Sequence, residues 1–224
     1  MRVSVLEGHR LWASSYDTSI NPLLALEDRV LPGLLPPAAA NLFIDVACGT
    51  GRWMTYLRQR GAAVFGVDFC PEMIAEANKK QLLRNRVVLG DAATVPFANG
   101  IADISLCSFA AGYFCDLHST MCEIARVTSG GGKVILSDLH PARLRDGWTR
   151  SFRLGDSVYE MEHADSSIDE FLRAAACAGL RVQATLEVCF GPEERALFQM
   201  AGKEHLFEQF RRIPALWIGI WIKS

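Results

Sequence analysis

Two carboxylates and a pair of glycines stand where a chain could hold a nucleoside. Phe43-Ile44-Asp45-Val46-Ala47-Cys48-Gly49-Thr50-Gly51 is an apolar run that empties into a glycine-punctuated turn and then a helical stretch. Gly49 and Gly51 allow backbone to approach a ligand closely, and the unpaired N–H groups at the start of the next helix can receive an oxygen-rich group. Asp68 lies nineteen residues after Gly49, at the end of the next apolar run. A doubly wound fold uses a carboxylate at that place to accept hydrogen bonds from ribose hydroxyls. Asp91, in Val88-Leu89-Gly90-Asp91-Ala92-Ala93, follows the third run. A lone Gly-x-Gly is equally a plain strand-to-helix turn, and a lone Asp is usually solvated, but the three positions together favour a nucleoside site. A dinucleotide turn would place a third glycine where Met54 stands, and no Lys-Ser or Lys-Thr follows to serve a nucleotide triphosphate.

The elements that position these residues read as βαβ units. From Asn41 to Asp138 short β-branched runs alternate with helical stretches, the rhythm of a parallel sheet in an α/β protein. Strands are expected at Leu42–Val46, Ala63–Asp68, Arg86–Leu89, Ile101–Cys107 and Lys133–Asp138, with helices starting near Gly51, Pro71 and Leu117, the last broken by Gly130-Gly131-Gly132. Thr149 to His163 alternates about Gly155-Asp156, as a hairpin or an extended excursion away from the sheet would. Ser167 caps a helix that Gly179 stops, Leu180–Phe190 is a sixth strand, Glu193–Arg211 is helical and Ile213–Lys223 is a closing strand. The first forty residues, ending in Pro32-Gly33 and Pro36-Pro37, read as a cap or lid.

Composition narrows the function classes. Of 224 residues, 50% are hydrophobic and 21% charged, enough for one large core, and the expectation is a single domain over 1–224: cap 1–40, cofactor-binding core 41–138, and substrate-side inserts 139–165 and 191–211. A net charge of −2 offers no excess for phosphate runs, so no nucleic acid is expected as partner. Seven scattered cysteines without a Cys-x-x-Cys pair point to reduced, cytoplasmic thiols and to no metal site. No signal-like or membrane-spanning run is apparent, because the late apolar stretch Ile213 to Ile222 contains a proline and is too short to span as a helix. A small-molecule substrate and a monomer or homodimer are expected.

These motifs resemble those of the class I S-adenosylmethionine-dependent methyltransferases, in particular the type 11, ubiquinone-biosynthesis-like branch that acts on small molecules. The likeness covers most of the chain. Asp45-Val46-Ala47-Cys48-Gly49-Thr50-Gly51 is similar to the family's first motif, Val67-Asp68-Phe69-Cys70-Pro71-Glu72-Met73 to its second, and Gly90-Asp91-Ala92 with Val95-Pro96-Phe97 to its third. Glu123-Ile124-Ala125-Arg126-Val127 with Gly130-Gly131-Gly132 resembles the helix and turn before strand five. The resemblance implies a Rossmann-like, seven-stranded, mostly parallel sheet of order 3-2-1-4-5-7-6, strand seven antiparallel, with helices on both faces. It implies S-adenosyl-L-methionine as cofactor and S-adenosyl-L-homocysteine as product. Gly49 and Gly51 would lie along the methionyl part, with Asp45 and Ala47 also binding the cofactor, Asp68 would bind the ribose, Phe69 and Met73 would pack near the adenine, and Asp91 with Ala92 would read the adenine edge. Ser108 would lie beside the methionyl group, and Tyr16, in an aromatic lid-like segment, over the cofactor. No Asn-Pro-Pro-Tyr or Pro-Cys signature stands at Ser108-Phe109-Ala110-Ala111-Gly112, which argues against methylation of DNA bases.

A sulfonium methyl is already activated, so the protein has mainly to align a nucleophile, exclude water and, where needed, take a proton. The acceptor pocket is expected over the ends of strands four and five, lined by Phe109, Tyr113, Phe114, His140, Trp148, Phe152 and Tyr159. His140, after strand five, is the candidate general base, with an orienting or backbone-bonding role as the alternative. Two competing functions are a protein that binds the cofactor without transferring methyl, and a nicotinamide-dependent oxidoreductase, which Met54 disfavours.

Overall fold

The computed structural model describes residues 1–224. In chain order the elements are β1 (Arg2–Val3), α1 (Val5–Trp12), α2 (Pro22–Val30), β2 (Leu42–Val46), α3 (Arg52–Gln59), β3 (Ala63–Asp68), α4 (Pro71–Lys79), β4 (Val87–Leu89), β5 (Ala102–Ser108), α5 (Leu117–Val127) and β6 (Thr128–Leu139). There follow α6 (Pro141–Arg145), β7 (Ser151–Leu154), β8 (Ser157–Met161), α7 (Ile168–Cys177), β9 (Leu180–Val188), α8 (Arg195–Met200), α9 (Phe207–Phe210) and β10 (Leu216–Lys223). The main sheet runs β4-β3-β2-β5-β6-β10-β9. Strands β2 to β6 pair in parallel, and β10 is antiparallel to both β6 and β9. Numbered within this sheet alone, the order is 3-2-1-4-5-7-6.

Period-two alternation places the core on both sheet faces. On one side Phe43, Val64, Leu106, Ile135 and Ile218 pack against Leu26 of α2 and Trp53, Met54 and Leu57 of α3. On the other, Ile44, Val46, Cys107, Val134 and Trp217 meet Met121 and Ile124 of α5 and Phe171 and Ala175 of α7. A helix lacking either apolar face could not cover the sheet, so these two clusters fix the three-layer arrangement that carries the ends of β2, β3 and β5.

Three departures from the sequence reading have local causes. The triple glycine does not break α5, which ends at Val127; it lies inside β6, where Thr128 pairs with Ala102 and Lys133 with Ile104, so the residues between bulge out. Glu193–Arg211 is not one helix: after α8 the chain turns at Ala201-Gly202-Lys203 before the separate α9. A second sheet, β1-β8-β7, was absent from the reading because β1 is two residues long and carries no period. Its parallel pairing with β8 pulls the chain start onto the hairpin. Trp12 then stacks on Phe152 at 5.0 Å, and Phe152 on Tyr159 at 5.4 Å. No helix is long and apolar enough to cross a membrane.

Candidate functional site

The turn after β2 is held open by backbone that few residues adopt. Ala47 has φ 57° and Gly49 φ 55°, and both face a cavity of about 290 Å³. A left-handed alanine costs about 1 kcal/mol or more and persists where surrounding structure enforces it, most often at functional sites. Phe109, after β5, has φ 50° and lines the same cavity. Gly51, with φ 75°, does not: it caps α3, and a Cβ there would run into Leu83. Its role is close packing of the turn, which corrects the expectation that it lines the methionyl part.

Asp68, at the end of β3, is buried and accepts the Gly49 N–H at 2.7 Å and the Cys70 N–H at 2.9 Å. These bonds fix the carboxylate and leave lone pairs on both oxygens for a further donor. Burial pushes its pKa up, opposed by the N–H bonds and by His9. Asp45, the fourth residue of β2, is 2% exposed; its backbone pairs within the sheet, and its carboxyl makes no hydrogen bond to the protein. Burial raises its pKa well above the carboxylate range, so its carboxyl calls for a cationic partner. Asp91 anchors its own turn by accepting the Ala93 N–H at 2.8 Å. Asp45, Asp68 and Asp91 line this one cavity together with Tyr16, Ala47, Gly49, Phe69, Met73, Ala92 and Ser108.

Beneath the cavity lies a network that sequence reasoning missed. Glu27 of α2 is fully buried. It pairs with Arg52, accepts Trp53 Nε1–H at 2.9 Å and Ser108 Oγ–H at 2.8 Å, and bonds the Ser137 hydroxyl. In Leu24-Ala25-Leu26-Glu27-Asp28-Arg29 nothing distinguishes Glu27 from a solvated helix residue. Arg52, at the first position of α3, also pairs with Asp28 and faces the cavity. Burial pulls the Arg52 pKa down, but Glu27, Tyr16 and Asp28 outweigh it and hold the charge. The N-terminal segment is latched a second time through Asp17, which accepts the Thr50 hydroxyl at 2.6 Å and pairs with Lys80 at 2.7 Å.

A second cavity, of about 880 Å³, adjoins the first through His9, Tyr16, Phe109 and Tyr113, which line both. Trp148 and Phe152 line only the second and Phe114 only the first. Tyr159 lines neither and backs Phe152. Tyr113 stands 4.9 Å from the Arg150 guanidinium, and burial pushes its pKa up to about 12.

His140 lines neither cavity. Its Nδ1 accepts the Ala142 N–H at 3.1 Å, capping α6, so the proton sits on Nε2, which donates to Glu187 at 3.0 Å. Both ring nitrogens are engaged, and the base role expected of His140 is replaced by that of a cap tying β6 to β9. The histidine at the junction is His9. Its Nδ1 lies 2.8 Å from the Val5 carbonyl, which only accepts, so Nδ1 carries the proton and Nε2 the lone pair. Burial lowers its pKa below 6.5, against the pull of Val5 and Asp68. Sequence reading passed over His9 because it lies on a short helix outside the βαβ rhythm.

The family model described as "Methyltransferase domain" matches residues 44–136. Among curated proteins, a malonyl-[acyl-carrier protein] O-methyltransferase from Serratia marcescens is 27% identical over 179 residues, 79% of this chain and 67% of that protein. A demethylmenaquinone methyltransferase from Thermus thermophilus is 33% identical over 108 residues, 46% of this chain and about half, 49%, of that protein. Among solved structures, an S-adenosylmethionine dependent methyltransferase from Mesorhizobium loti has a TM-score of 0.70 at 17% identity, covering 91% of this chain and 100% of that one.

Proposed function

We infer that this chain, which belongs to the S-adenosylmethionine-dependent methyltransferases, methylates a small-molecule acceptor held in the second cavity. The observation that carries this reading is the shared wall of His9, Tyr16, Phe109 and Tyr113, where a cofactor-sized cleft opens onto a larger, aromatic chamber. The residues of the smaller cavity suit the cofactor. Asp68 has free lone pairs that would serve ribose hydroxyls, and Asp91 with the Ala92 backbone would read the adenine edge. Phe69 and Met73 would supply the apolar contact of the base. The Asp45 carboxyl lacks a partner that an α-ammonium would provide, and Arg52 suits a carboxylate, so the two would hold an amino-acid end in the cavity that Gly49 and Ser108 also line. S-adenosylmethionine, when bound, supplies an activated methyl on sulfur.

The protein's own part is positioning. Tyr16 and the latched N-terminal segment close the cleft against water, and the aromatic wall orients the acceptor at the junction. Neutral His9, its Nδ1–H fixed by Val5, presents Nε2 as the group able to take a proton from an acceptor that must lose one. Trp148 and Phe152 form the far wall. Both cavities are lined by one chain, so a monomer suffices and a homodimer would leave each site complete. Seven free thiols support placing the protein in the reducing cytoplasm.

The test incubates the protein with methyl-labelled S-adenosylmethionine and pools of small organic acids, phenols and amines. Label appearing in an extractable product with one equivalent of S-adenosylhomocysteine is expected. Cofactor binding without label transfer to any pool, under conditions where a known methyltransferase transfers it, would contradict the reading.

A further inference from the structure

The charge of the larger cavity is one-sided. Its walls come from the N-terminal segment, the end of β6, the β7–β8 hairpin and the α8–α9 region, and they are mostly hydrophobic, with Trp12, Trp148, Phe152 and Phe210 among them. The charged side chains that line it, His9 aside, are Arg150, Arg153 and Lys203, and no Asp or Glu joins them. The chain as a whole is nearly balanced, with 25 acidic and 23 basic residues.

The three cations differ in their bonding. Arg150 is 8% exposed; its Nη2 donates to Asp138 at 2.7 Å and its Nε has no acceptor in the protein. Packed on Gly112, where a Cβ would collide with the guanidinium, it forms a fixed donor-rich wall beside Tyr113. Arg153 of β7 and Lys203, between α8 and α9, are exposed and make no salt bridge. An apolar chamber with unpaired cations and no carboxylate solvates a hydrocarbon body and attracts an anionic group, whereas it disfavours a cationic amine.

Resting on the function proposed above, we propose that the acceptor is an amphiphilic organic acid: an aliphatic or aromatic body bearing one carboxylate or phosphate. The body lies along the aromatic wall, the acid group is held by Arg153 and Lys203, and the reacting end reaches His9 and Tyr113. The carboxylate and phosphate share one recognition chemistry, a compact anion with several acceptor oxygens facing cationic donors.

The test follows tryptophan emission of the full chain saturated with S-adenosylhomocysteine while decanoate, decyl phosphate or decan-1-ol is added. Saturable quenching is expected with at least one of the acids, at least tenfold tighter than with the alcohol. The better acid identifies the head group. Arg153→Ala with Lys203→Ala should weaken that acid at least tenfold and leave the alcohol unchanged; both positions are exposed, so the variant keeps its fold. Equal affinities for alcohol and acids, an acid affinity indifferent to the two substitutions, or no saturable quenching at all would each overturn the proposal. Calorimetry with S-adenosylhomocysteine on the same protein separates the two levels. Heat of binding alongside any of those failures removes the acceptor class alone, and absence of heat removes the functional reading beneath it.

Discussion

The smaller cavity takes Asp45, Ala47, Gly49, Asp68 and Asp91 from the ends of three adjacent parallel strands, whereas the larger takes Trp12, Trp148, Arg150 and Phe210 from segments far apart in the chain. In the first, backbone does the positioning: left-handed residues and N–H groups fix Asp68 within a few residues of the sheet. In the second, stacked rings and a buried guanidinium do it, and the hairpin is tied to the chain start through a two-residue strand. A cofactor common to many reactions suits a site rooted in the sheet, and an acceptor particular to one protein suits walls that can change without disturbing it.

The comparison is broken most severely at its seam. Glu27→Ala leaves Arg52 beside the cavity without its buried partner and strips acceptors from Trp53, Ser108 and Ser137. A loss of about 3–5 kcal/mol in a urea denaturation is expected, as for other broken buried pairs. A loss below about 1 kcal/mol would show that the latch does not bear on the fold. Next in size, Asp68→Ala should reduce S-adenosylhomocysteine affinity about 100-fold by calorimetry, the loss of two charge-assisted hydrogen bonds, while probe binding in the larger cavity stays the same. Equal loss at both cavities would erase the distinction between them.

The two histidines sharpen it further. His9→Ala is expected to lower single-turnover methyl transfer about 100-fold for an acceptor that must lose a proton, with cofactor affinity retained. His140→Ala should leave transfer intact and reduce stability by about 1 kcal/mol through loss of the α6 cap and the Glu187 bond. The opposite pattern would restore His140 to the site.

The smallest effect is the pH dependence of stability. Burial lowers the pKa of both His9 and His140 below 6.5. Between those folded values and 6.5 the unfolded chain binds more protons, so stability rises with pH through that window and levels off above it. Urea midpoints from about pH 5 to about pH 7 measure this, and His140→Asn, which keeps a capping oxygen, should flatten part of the rise.

The legibility of each region follows from the same contrast. Phe43 to Gly51 is a strand, a turn and a helix start within nine residues, and its chemistry needs residue types that local spacing displays. The centre of the main sheet was readable because β2 and β5 are apolar runs buried on both faces. His9, Glu27 and Arg52 were not: His9 reaches the junction only where α1 packs beside Tyr113, and Glu27 and Arg52 take their roles from partners outside their own elements, Glu27 from Ser137 and Arg52 from Glu27. His140 misled because proximity to a strand end in sequence does not reveal which way a ring turns, and the β10–β9 pairing placed Glu187 within its reach.

A crystal structure with S-adenosylhomocysteine bound tests the division of labour most directly. Adenosine is expected between Asp68 and Asp91, the amino-acid end between Asp45 and Arg52, and sulfur directed at the wall of His9, Tyr16, Phe109 and Tyr113 with the larger cavity open beyond it. Sulfur facing away from that wall, or ligand seated among Trp148, Phe152 and Phe210, would contradict it.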